Sequence, residues 1–152
     1  MYVLVGNAAQ PAVSSDPVAQ VWNPHSTHRC RLVRLAVAAD GVGTSGNFSS
    51  ILFRRSTARG TAGSTVTPDI DHHSERAIAP PSGVVLDLAA FSVLPTMGSS
   101  IGPGAIISRF AGGTGLIFAL GVVVPPGTGL VLESGGNGMP ACRITVEAEE
   151  DW

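Results

Sequence analysis

Lysine is absent: all nine basic residues are arginine, and against eleven acids they leave a formal net charge of -2. A balance this close to neutral, without a cationic cluster, excludes electrostatic capture of nucleic acid. A high-GC coding bias explains the exclusive use of arginine. The functional alternative is a role in interface ion pairs, which the planar guanidinium suits better than an ammonium. Aromatic residues are scarce at 5%, so valine, leucine, isoleucine and alanine have to fill the core. Cys30 and Cys142 are the only cysteines, too few for a disulfide framework. They read as two buried small hydrophobes, with a single Cys30–Cys142 bridge as the alternative. No apolar run approaches about 18 residues without glycine, proline or charge, so no membrane span is expected. No basic segment leads into an apolar one at the N-terminus, and no secretory leader is expected.

What is present is glycine (19), proline (11) and a hydrophobic fraction of 44% in 152 residues. A disordered chain would be poorer in apolar residues and richer in charge. The length suits one domain with a sizeable core, and the composition suits many short strands joined by tight turns.

The apolar runs bear this out along the chain. Residues 1–5 form a short strand candidate, and residues 6–17 read as an irregular link. Such a segment suits an arm that reaches a neighbouring subunit, or equally a strand of its own sheet. Strands are predicted at 18–22, ending at Asn23-Pro24, and at 31–39, closed by Asp40-Gly41 as a hairpin signal. Further strands are predicted at 49–55, 83–94, 105–110, 115–124, 129–133 and 142–147. The last alternates most cleanly, with Cys142, Ile144 and Val146 against Arg143, Thr145 and Glu147. Eight to ten strands with turn signals between them and no helix predict an all-β fold, a jelly-roll-like two-sheet β-sandwich. The expected organisation is an N-terminal strand and arm over 1–17, the sandwich over 18–147, and an acidic tail over 148–152.

Between the strands at 49–55 and 83–94 lies a long polar insert, residues 54–82, rich in glycine, serine and threonine. It carries no helical spacing of apolar residues and reads as an extended connection across the surface. Loops of this length within a compact domain are uncommon and tend to be functional or disordered; an ordered one is expected to lie against a neighbouring copy or another protein.

The chemistry-bearing patterns are weak. Residues 41–46 match G-x-G-x-x-G after a strand, but a dinucleotide site needs a helix directly afterwards. The strand-like Asn47-Phe48-Ser49 follows, so the match reads as a loop. His25, His28 and Cys30, and Asp69, Asp71, His72 and His73, hold metal-ligating side chains without a recognised ligand spacing. They read as polar loops, where histidines at a subunit contact would make assembly sensitive to pH. There is no G-x-S-x-G elbow. Asp87 stands alone inside an apolar strand, read as an exposed-face residue or as the partner of an arginine. No catalytic, cofactor-binding or metal-binding residue is assigned, and no enzyme is expected.

Three segments resemble small structural proteins of tailed bacteriophages. They are Val21-Trp22-Asn23-Pro24 before a basic-polar strand, the insert from Leu52 to Asp71 with its Arg-Arg, Gly-Thr-Ala-Gly and Val-Thr-Pro elements, and residues 124–132 with Pro125-Pro126-Gly127. The resemblance implies a β-sandwich virion protein, often trimeric, displayed on a capsid or tail and lacking catalytic residues. On that basis the expectation is a homotrimeric capsid decoration (cement) protein at the capsid surface, with the major capsid protein as partner and neither nucleic acid nor membrane. Its contact residues would be Tyr2, Val3 and Leu4 in the arm, Arg55, Arg59, Thr67 and Asp69 in the insert, and Trp152 in the tail. The alternatives are a tail or fibre-tip module that binds a host surface glycan, and a cupin-like enzyme with metal at His72 and His73.

Overall fold

The computed structural model describes residues 1–11, 13, 16–39, 48–70, 83–101, 106–109, 115–136 and 140–151. Twelve strands appear in chain order and no helix among the described residues. They are β1 (Tyr2–Ala8), β2 (Pro17–Asn23), β3 (Arg29–Ala39), β4 (Phe48–Ala58), β5 (Ser64–Val66) and β6 (Asp69–Ile70). After these come β7 (Val85–Leu88), β8 (Thr96–Ser100), β9 (Ile106–Arg109), β10 (Gly115–Val124), β11 (Thr128–Gly136) and β12 (Cys142–Asp151).

The strands form two antiparallel sheets that pack face to face. One has five strands in the order β10-β3-β12-β1-β6, and the other seven in the order β5-β7-β2-β11-β4-β8, with β9 also paired to β4. The chain alternates between them: β1, β3, β10 and β12 lie in the first sheet, and β2, β4 and β11 in the second. Without β5, β6 and β7, the order β1-β12-β3-β10 over β2-β11-β4 with β8 and β9 is that of a jelly roll. The two-sheet β-sandwich read from the strand pattern is therefore the fold.

Period-2 alternation decides which residues meet between the sheets. Leu4, Leu35, Val37, Ile144 and Val146 come from one sheet, and Val21, Ile51, Leu86, Leu88 and Leu132 from the other, all essentially without solvent exposure. Phe53 and Phe118 close one side of this layer edge to face, with ring centres 5.2 Å apart. A bulge in β3, between the residues facing Glu147 and Ala148, turns both Leu32 and Leu35 inward. Pro126 precedes Gly127, whose φ of +64° is the left-handed conformation a type II turn requires at its third position. The Gly127 N–H donates to the Asn23 carbonyl at 3.0 Å, tying that turn to the end of β2.

Several expectations change. Of the two readings of the N-terminal segment, the structure takes the strand: β1 pairs with β12 on one side and β6 on the other. Residues 148–151, expected as an acidic tail beyond the sandwich, continue β12 against β3. Asp40-Gly41 lies outside the described residues, but β3 and β4 belong to different sheets, so the link between them is not a hairpin. Cys30 and Cys142 are buried free thiols. Cys142 lies opposite Ala39, at the far end of β3 from Cys30. Their separation of about 30 Å of extended strand rules out a bridge, which needs Cα atoms within about 7 Å.

Candidate interaction surface

The insert does not simply cross the surface. Its described residues leave β4, cross the outer face of the seven-stranded sheet over Gln20, and add β5 at that sheet's edge beside β7 and β6 beside β1. Its lock is Asp87. This residue faces outward from β7 opposite Gln20, yet only 1% of it is exposed. Arg59 grips it with two parallel bonds, Nε to Oδ2 at 2.7 Å and Nη2 to Oδ1 at 2.8 Å. The Thr65 hydroxyl donates to the same Oδ1 at 2.6 Å. The planar fork of arginine suits a carboxylate in this bidentate way. The hydrogen bonds to Asp87 raise the Arg59 pKa above its ordinary value, against the opposing effect of burial. Asp87 is thus the arginine partner that the sequence allowed, and the exposed-face reading fails because the insert covers it.

Gln20, fully buried, is the second anchor. Its amide nitrogen donates to the Ser56 hydroxyl at 2.7 Å and to the Ala58 carbonyl at 3.3 Å, while its oxygen accepts from the Gly60 N–H at 3.0 Å. The Ser56 hydroxyl fits because Gly129 lies between the two strands: a Cβ there would stand 2.6 Å from Ser56 Oγ and 2.7 Å from the Val21 carbonyl. Beyond Gly60, Thr61 exchanges backbone bonds with Val93 and Ser92, each 2.8 Å. At the crest of this segment Val93 and Leu94 are 58% and 48% exposed.

The expected contact residues do not gather in one place. Tyr2, Val3, Thr67 and Asp69 lie along the edge where β1 meets β6, with Val3 paired to Asp69 and Tyr2 to Ile70, while Arg59 lies over Asp87 on the outer face of the other sheet. Thr67, with Val5, Val66 and Pro68, lines a shallow depression of about 350 Å³ there. Leu4 is a correction, since it is fully buried in the chain's own core and offers nothing to a partner. Burial raises the Tyr2 pKa, with Glu150 and then Cys30 adding to the effect. Arg55 stands apart, at the opposite side of the sandwich, where Nη1 donates to the Val123 carbonyl at 3.2 Å and so ties one sheet to the other. Trp152, Asp71, His72 and His73 lie outside the described residues.

His25 and His28 belong to a self-contained loop. Nδ1 of His25 accepts from the backbone N–H groups of Thr27 and His28, both at 3.0 Å, and Asn23 donates to the His28 and Val124 carbonyls. Among the described residues no three metal-ligating side chains gather. The segment after residues 41–46 is β4, a strand, which removes the helix that a dinucleotide site needs. The buried Gln20, Ser56 and Glu133 were not singled out from sequence. Gln20 has one signal, a polar residue inside the apolar run Val18-Ala19-Gln20-Val21, and Ser56, between Arg55 and Thr57, has none.

Comparison of the chain with protein-family models, with curated proteins and with solved structures finds no match.

Proposed function

We propose that this chain is a structural protein of a phage virion, a capsid decoration protein that acts by adhesion through its insert and the adjoining sheet edge. One observation carries the reading. The insert is clamped to the sheet through Asp87 and Gln20, and at Thr61 it holds the segment after β7, which turns Val93 and Leu94 to solvent. A loop held in place before binding loses less conformational entropy when it docks. Symmetry then repeats each small contact, so modest patches sum to strong attachment. Jelly rolls also serve as capsid and lectin domains, which is consistent with this role. The partner under this reading is the major capsid protein, and the site of action is the capsid surface.

Quantitative mass spectrometry of virions purified from cells that express the chain is the test. Copies in the hundreds per particle are expected. A handful would move the chain to the tail tip, and its absence from particles would overturn the proposal. Val93→Asp together with Leu94→Asp should abolish binding to undecorated shells without unfolding the protein.

A further inference from the structure

A sheet edge presents unpaired backbone N–H and C=O groups that template pairing with another chain unless they are blunted. Most edge strands described here are blunt. β6 has two residues and β5 three, and β9 has four. β8 meets β4 with two breaks of register. β10 differs. Ten residues long, it pairs with β3 on one side, and on the other it has no strand partner among the described residues. Its sequence, GLIFALGVVV, holds neither a charge nor a proline.

The second half of β10 is protected by a break of register between Ala119 and Val122, with Gly121 at φ +59°. The regular half, residues 115–119, is not. At its centre Ile117 is 66% exposed, more than any other large apolar residue described. It also begins an uncharged row across the outer face, in which Ile117 lies beside Ala36, Ala36 beside Thr145, and Thr145 beside Val5.

We propose that the regular half of β10 pairs antiparallel with β10 of a second copy of this chain, about a two-fold axis near Ile117. The two five-stranded sheets would then join into one of ten. A two-fold contact sets each part of the strand against the same strand reversed, so any charge would face a like charge nearby. A strand without charge is free of that penalty. With Ile117 at the centre, the small Gly115 opposes Ala119, and Leu116 opposes Phe118. These last two point inward, Leu116 half-buried and Phe118 8% exposed, so the interior continues across the seam. The pairing is independent of the virion reading, because it concerns the purified chain alone. It coexists with a three-fold contact only in a dihedral assembly.

Light scattering and sedimentation equilibrium test it. The wild-type chain should have twice the chain mass, Ile117→Val should keep it, and Ile117→Lys should halve it with an unchanged circular dichroism spectrum. Hydrogen exchange at those amides of residues 115–119 that face away from β3 should be slow in the wild type and fast in Ile117→Lys, while the amides bonded to β3 stay slow in both. Because Cys30 and Cys142 are buried, Ile117→Cys introduces a single accessible thiol that a short bismaleimide should link between two copies. A wild-type mass of one chain, an oligomer whose mass Ile117→Lys leaves unchanged, or failure of Ile117→Cys to cross-link would each overturn the proposal.

Discussion

On the outer face of the five-stranded sheet, Arg34 meets Glu147 and Arg31 meets Glu149 at 3.7 Å, with both side chains of the second pair more than 40% exposed. On the outer face of the seven-stranded sheet, Arg59 meets Asp87 and Arg54 meets Glu133 at 2.5 Å, with the carboxylates 1% and 10% exposed. The pairing chemistry is the same and the surroundings are not. In open solvent water competes for each charge and the long side chains lose freedom on pairing, so such bridges contribute little. Under cover, the carboxylate has given up its hydration and depends on its protein partners. The first face can therefore lose a charge with little consequence, whereas the second holds the insert in place.

The largest effect should come from Arg59→Ala, which strands the Asp87 carboxylate beneath the insert. A loss of about 3–5 kcal/mol in unfolding free energy is expected, measured by urea denaturation. Asp87→Leu, which removes the charge as well, should cost distinctly less. If Arg59→Ala were as mild as a surface substitution, the insert would not be anchored through Asp87. Gln20→Ala comes next. It leaves the Gly60 N–H and the Ser56 hydroxyl without their partner, at about 1–3 kcal/mol, and hydrogen exchange at Gly60 should quicken.

Much of this architecture can be read from the sequence, and the reasons it fails elsewhere are physical. β12 is legible because Cys142, Ile144 and Val146 alternate with polar residues and do point inward. Its continuation through residues 148–151 is hidden, because acids in succession look like a solvated tail. Opposite Glu149 and Asp151 stand Arg31 and Arg29, over a hundred residues earlier, which the register brings alongside. β8 is invisible for a different reason: Thr96–Ser100 is mostly exposed and lacks apolar alternation, and backbone pairing to β4 holds it. Asp87 misleads because burial depends on what folds over it. Arg59 lies 28 residues upstream, and no local pattern announces that the two will meet.

A third environment lies inside the sandwich. Burial, Glu150 and Cys30 all raise the Tyr2 pKa, so the folded chain holds that proton more tightly than the unfolded chain does. The stability this provides is complete below the unfolded value of about 10 and is lost as pH rises through the higher folded value. Tyr2→Phe should flatten part of the alkaline fall in thermal midpoint. An unchanged alkaline profile would mean that Tyr2 ionises as freely in the fold as outside it.

The smallest effect should be at the exposed ladder, and it is the one that most sharply tests the contrast between the two faces. Arg31→Ala and Glu149→Ala should each cost about 0–1 kcal/mol, with a coupling in the double-mutant cycle of similar size. Near 1 M salt, where the screening length falls to about 3 Å, that coupling should disappear. The Arg59–Asp87 coupling, measured the same way, should persist, because salt does not enter beneath the insert. Equal salt sensitivity in the two cycles would mean that the cover over Asp87 opens readily, and the insert would then be no more rigid than an ordinary surface loop.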